Sequence, residues 1–319
     1  MINLEISNYS GAYIHLNGNY PLSISRLDLA RAMISVGCGG YADICKKGLW
    51  GIVGLFSKAF TNTVQTPAGI VLSQHYWNMD ASEKRTESYY LGQGFTTLYA
   101  QKIHRIRWLL HFDNQIKKFK IHQGVPKHII GTSHKDVHGP DLVGIVNPAT
   151  CFLFEAKGYS SGYDNNVMQH ALNQLSCVST FNGHTPKAKV ACYFNLSETP
   201  IKGIIIDPEN HRKGSDMPMN VPKRISQYYS FFAEYKRYFN EKVVIGQRVY
   251  RIAPIGIPGF YFGYDTRFLH LNFEDMPIID QDQHINDIKK IDRFSDVSIG
   301  PDGLIVLLDK EKLPLGHYF

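Results

Sequence analysis

The feature that most constrains this chain is a pair of short apolar runs, Asp141 to Val146 (DLVGIV) and Cys151 to Lys157 (CFLFEAK), separated by Asn147-Pro148-Ala149-Thr150. The intervening residues are turn chemistry, so the two runs are expected to pair as a β-hairpin. Side chains alternate along a strand, which places Glu155 and Lys157 on one face and Phe152, Phe154 and Ala156 on the other. The phenylalanine stripe then sets the register, because a slip of one residue would drive the charged pair into the core. Asp141 lies at the end of its strand away from the turn. Pairing across a three- or five-residue loop sets it opposite Glu155, so two acids and an amine converge.

That set suits one kind of chemistry well. Two carboxylates offer the hard oxygen ligands that magnesium takes, and the ion keeps waters for the rest of its octahedron. Such an ion lowers the pKa of a bound water and offsets charge that develops on phosphate. Lys157 would orient or help deprotonate that water, or stabilise charge as the bond breaks.

Helices are expected on either side. Asp80 or Ser82 can cap a helix running to about Ile103, with Glu83 and Glu87 early in it and Tyr90, Leu91, Phe95, Leu98 and Tyr99 at helical spacing. Beyond the hairpin, Asp164 to Phe181 carries Val167, Met168, Ala171, Leu172, Leu175 and Val178 in an amphipathic pattern. Further elements are expected as a short strand near the start, a helix over Ser25 to Ser35, a strand at Ile106 to Phe112, and a short strand and loop over Pro126 to Gly139. Strands at Lys189 to Asn195 and Gly203 to Asp207, a helix over Ile225 to Tyr238 and a strand at Leu304 to Leu308 follow.

Pro140-Asp141 followed by Glu155-Ala156-Lys157 resembles the signature of the PD-(D/E)xK, or restriction-endonuclease-like, nuclease superfamily, over about Ser82 to Asn195. The resemblance implies an α/β fold: a mixed central sheet flanked by helices over residues 80–200, with N- and C-terminal extensions at 1–79 and 201–319. It implies a metal-dependent DNA endonuclease with a role in defence against foreign DNA, using Mg2+ with Mn2+ able to substitute and double-stranded DNA as partner. It also implies a glutamate from the first helix as a further metal ligand, matched by Glu87, and a glutamine from the second, matched by Gln174 in preference to Gln169. Gln93 replaces Glu87 if the first helix is registered differently, and the helix macrodipole alone would also favour a glutamate at position 87. The alternatives are a catalytically inactive module of the same fold that binds DNA or protein, and a nuclease specific for RNA or junctions. A homodimer or a protein partner is compatible with all of these.

Composition narrows the class further. Hydrophobic residues at 44% and charged ones at 19% belong to a folded chain. A net charge of +6 permits a polyanionic partner without demanding one. The five cysteines, Cys38, Cys45, Cys151, Cys177 and Cys192, form no CxxC pair, which argues against a disulfide framework or structural zinc and fits a reducing cytoplasm. No apolar run is long enough for a membrane helix. Cys38-Gly39-Gly40 lacks the Gly-Lys-Ser/Thr of a phosphate loop, and His134 with His138 lacks a third zinc ligand. Lys102, His104, Arg105 and Arg107, then Lys117, Lys118, Lys120, Lys127 and Lys135, read as a basic surface for phosphates. The aromatic run Gln227 to Phe239 reads mainly as core. A second Pro-Asp, Pro301-Asp302, precedes GLIVLLDKEK but has no Glu/Asp-x-Lys on a following strand.

Overall fold

The computed structural model describes residues 1–36, 41–111, 139–147, 150–208, 214–270 and 296–309, with side chains excepted at 41–47 and 270. Its strands are β1 (Ile2–Ser7), β2 (Gly18–Leu22), β3 (Thr63–Thr66), β4 (Gly69–Leu72), β5 (Trp108–His111), β6 (Leu142–Asn147), β7 (Thr150–Tyr159) and β8 (Val178–Phe181). They continue as β9 (Lys189–Asn195), β10 (Lys202–Ile206), β11 (Ser215–Met217), β12 (Glu241–Ile245), β13 (Arg248–Pro254), β14 (Phe260–Asp265), β15 (Val297–Ile299) and β16 (Leu304–Leu308). The helices are α1 (Arg26–Val36), α2 (Tyr41–Asn62), α3 (Gln74–Trp77), α4 (Ala81–Ile103), α5 (Asn165–Ser176) and α6 (Val221–Glu234).

The protein is mixed α/β. A seven-stranded sheet runs β2-β1-β10-β9-β7-β6-β5, with β7 parallel to β9 and β1 parallel to β10. Its centre, β9 and most of β7, is buried along its length, as expected of strands covered on both faces. A second, antiparallel sheet of five strands runs β12-β13-β14-β16-β15. The N-terminal region is therefore part of the main sheet rather than an appendage, since β1 joins it through β10.

α4 begins in a capping box: the Asp80 carboxylate accepts from the Ser82 and Glu83 amides, and Glu83 accepts from the Asp80 amide. It packs on the face of the sheet that carries Phe152, Phe154 and Phe194, with the Phe95 and Phe194 rings 5.3 Å apart. Gly92 makes that packing possible, because a Cβ there would come within 2.6 Å of the Gly158 backbone nitrogen. α5 covers the opposite face; Asp164 caps it through the Asn166 amide.

Several expectations shift at their edges. The amphipathic pattern from Asp164 stops being helical at Ser176, and Val178–Phe181 becomes β8, paired with β11. The glycine-interrupted apolar stretch before residue 62 is helix α2, kinked at Gly48 with φ 62°. The short strand and loop expected over Pro126 to Gly139, His134, His138 and Cys38-Gly39-Gly40 lie outside the described residues, Gly139 excepted. No described helix is long and apolar enough to cross a membrane.

Candidate active site on the central hairpin

β6 and β7 form the expected hairpin, and a bulge tunes it. Near the turn Asn147 pairs with Thr150, whereas from Ile145 onward the pairing is Ile145 with Cys151, Gly144 with Phe152 and Leu142 with Phe154. The extra residue in β6 moves the register by one. Continued one step further, that register faces Asp141 with Glu155; without the bulge Asp141 would face Ala156 and the charged groups would part.

The two acids interlock through the backbone. The Asp141 amide donates to Glu155 Oε2 at 2.8 Å, and the Ala156 amide donates to Asp141 Oδ2 at 3.3 Å. Lys157 Nζ donates to Glu155 Oε1 and, at 3.1 Å, to Gln174 Oε1. Gln174 is itself held, since its Nε2 donates to the Gly139 carbonyl at 3.3 Å. One amide side chain on α5 thus ties the lysine to the segment that enters β6. Gln169 is exposed on the same helix, so Gln174 is the glutamine that the structure brings to the lysine.

Burial sets the electrostatics. Glu155 is fully buried and Asp141 nearly so. Burial pushes the Glu155 carboxyl up to about 8, with the charge of Asp141 adding and Lys157 opposing. For Lys157 burial works against the charge, but Glu155 and Asp141 outweigh it and hold the amine above its usual value. The oxygen donors of two adjacent buried acids are those a hard divalent cation takes.

Glu87 is placed elsewhere. It lies on α4, across the sheet from Glu155 and Lys157, and its carboxylate accepts from Lys58 and, at 2.6 Å, from Asn62 Nδ2. Among the described residues no group of three or more His, Cys, Asp or Glu side chains is arranged to hold a metal ion. Gln93 is buried, and among the described residues neither end of its amide has a hydrogen-bond partner.

Of the basic surface expected ahead of the hairpin, His104 and Arg107 turn inward, Lys102 is half-buried and Arg105 is exposed. Lys102 pairs with Asp28 at 3.7 Å, His104 is buried against Tyr9 and Tyr99, and the buried Arg107 guanidinium lies 5.2 Å from the Trp108 ring. The lysines from 117 to 135 lie outside the described residues. The aromatic run on α6 is core, with Tyr228, Tyr229, Phe231, Phe232 and Phe239 buried.

Sequence reasoning overlooked an aromatic group beside the site. Tyr193, Tyr159 and Tyr163 pack together next to Lys157. The signal was available: Tyr159 continues the alternation of Glu155 and Lys157 along one strand face. Comparison with known proteins finds no family model, no curated protein and no solved structure that matches the chain.

Proposed function

We propose that the chain is a metal-dependent nuclease of the PD-(D/E)xK type, hydrolysing phosphodiester bonds of DNA as an endonuclease. The observation that carries this reading is the convergence of Asp141, Glu155 and Lys157 across one bulged hairpin, with Gln174 fixing the lysine. Asp141 and Glu155 would hold Mg2+, with Mn2+ able to substitute; the raised Glu155 carboxyl and the crowding of two buried acids fit a cation there. When bound, the ion supplies a water of lowered pKa and offsets charge on the phosphate. Lys157, held by Gln174, orients the attacking water and faces the charge that grows as the bond breaks. Gln174 is a positioning residue, acting through the lysine.

Nearly complete burial of the acids keeps their interactions strong, because bulk water screens them little. A second reading, a binding module of the same fold that does not cut, is favoured by the engagement of Glu87 with Lys58 and Asn62, which leaves two carboxylates at the hairpin among the described residues. Incubation of the purified protein with plasmid and linear DNA in magnesium, manganese or EDTA separates the two. Metal-dependent cleavage that disappears in EDTA supports the nuclease; metal-independent binding without cleavage supports the module. Nicking of supercoiled plasmid, rather than shortening from linear ends, identifies endonuclease action.

A further inference from the structure

We propose that Tyr159 and Tyr163 form a stacking platform for an unpaired base of the DNA, next to the hairpin site; this rests on the nuclease reading above. Tyr159 follows Lys157 by two residues on the same strand face, so at about 3.3 Å per residue it stands roughly 7 Å further along β7. Tyr193, in register with Lys157 on the neighbouring strand, is a fixed support: it is fully buried, its hydroxyl donates to the Gly162 carbonyl at 2.6 Å, and it accepts from the Asp164 amide at 3.1 Å. The Tyr159 ring lies along that of Tyr193, 5.6 Å between centroids and 16° between planes, while Tyr163 meets Tyr193 edge-on at 5.1 Å.

Although packed on a rigid base, Tyr159 remains 36% exposed and Tyr163 46%. Exposed ring surface held in a fixed place beside acids and an amine offers a nucleobase a partner at little ordering cost. Stacking on such rings is tolerant of sequence, because every base has a π-face. In an intact duplex those faces are covered by neighbouring base pairs. The platform therefore favours a base that is unpaired, at an overhang, a frayed end or a gap.

The test measures binding in calcium with two duplexes of one sequence, one blunt and one carrying a three-nucleotide 3′ overhang that contains 2-aminopurine. The expected result is that the wild-type protein prefers the overhang by on the order of tenfold, as stacking of a base or two provides, and quenches the 2-aminopurine. Tyr159→Ala with Tyr163→Ala abolishes the preference and the quenching while blunt-duplex affinity stays within twofold; Tyr159→Phe keeps both. Retention of preference and quenching by the double alanine variant overturns the platform, as does an equal loss for blunt and overhang DNA. Wild-type protein that binds and cuts both duplexes alike overturns the platform and leaves the nuclease reading standing. Wild-type protein that binds neither overturns both.

Discussion

Two Pro-Asp pairs stand ahead of apolar strands in this chain, and their aspartates serve opposite ends. Asp302, before β16, is fully buried, which holds its carboxyl above the usual value, but the groups around it favour its charge: Arg31 at 3.8 Å, the Tyr228 hydroxyl at 2.5 Å and the Leu304 amide at 3.2 Å. Arg31 also donates to Ser298 and Gln101, and Trp108 donates to Tyr229, whose hydroxyl donates to the Asp302 carbonyl. This network joins α1, α4, α6 and β5 to the second sheet. Asp141 and Glu155, before and within the hairpin, are buried beside each other, and the charge of Asp141 adds to burial in raising the Glu155 carboxyl. The contrast teaches that a buried acid ringed by donors ties elements of the fold together, whereas a buried acid set against another acid is harder to ionise, a cost that the proposed function would explain.

The largest effects break that contrast most directly. Asp141→Ala and Glu155→Ala should each lower single-turnover plasmid cleavage by at least ~10^3-fold, the loss of several kcal/mol that removing metal-centred stabilisation implies. Relief of the Asp141–Glu155 repulsion should keep the loss in their urea midpoints in EDTA small, since it offsets what the freed Lys157 amine and backbone amides cost. Asp302→Ala should do the reverse: it leaves Arg31 buried without its carboxylate and should cost about 3–5 kcal/mol in urea unfolding, with cleavage per folded molecule unchanged. A folded Asp302→Ala protein as inactive as Glu155→Ala would erase the distinction.

Lys157→Ala should separate binding from chemistry. Cleavage should fall by about 10^2-fold or more while DNA affinity in calcium stays within a few-fold, because the amine acts on the step and not on the ion. Lys157→Arg should restore only part of the rate, since a guanidinium cannot take the amine's place against Glu155 and Gln174. Equal losses of binding and cleavage would assign the lysine to DNA contact.

The same contrast can be read through pH. His104 is buried with Tyr9 and Tyr99 hydroxyls on its Nε2, at 2.7 and 3.1 Å, and burial lowers its pKa to about 4. A folded pKa below the unfolded value near 6.5 means that its contribution is intact above about 6.5 and is lost as pH falls towards 4, by roughly 3 kcal/mol. Glu155 has the opposite sign: its pKa is raised to about 8, so in EDTA its contribution is intact below about 4.5 and fades as pH rises through 8. Urea midpoints from pH 4 to 8.5 should therefore fall on both sides. His104→Gln should flatten the acid limb and Glu155→Gln the alkaline one; a limb unmoved by its variant is owed to another group.

The central hairpin and its flanking helices were legible because periodicity and turn chemistry are local signals, and Asn147 to Thr150 supplies both. The strands at Lys189–Asn195 and Leu304–Leu308 were equally plain as apolar runs. The five-stranded second sheet was not: in β12 and β13 Val243, Val244 and Val249 stand among Glu241, Lys242 and Arg248 with no clear apolar run, and the β14 to β16 pairing joins segments far apart in the chain. Nor could the sequence reveal that Lys102 pairs with Asp28 and that His104 and Arg107 point inward, because partners such as Asp28 and Tyr9 come from the distant N-terminal region. The triplet at the hairpin was readable residue by residue, but the bulge that aligns Asp141 with Glu155 shows no sequence mark of its own.

Glu87 offers the smallest and finest test, because it asks where the site ends. The resemblance implies a third carboxylate from this helix, yet Glu87 is engaged by Lys58 and Asn62 at the contact of α2 with α4. If that engagement is its role, Glu87→Gln keeps the Asn62 hydrogen bond and loses only the attraction to a partly exposed lysine. Such pairs contribute at most about 1 kcal/mol. Cleavage should then stay within about threefold of wild type, and a double-mutant cycle with Lys58→Met should return a coupling of no more than about 1 kcal/mol in unfolding and none in cleavage. If instead Glu87→Gln lowers cleavage as far as Asp141→Ala does while stability is unmoved, Glu87 must leave Lys58 when metal binds. Lys58→Met would then raise metal affinity by freeing it, which titration of the two variants with manganese would measure directly.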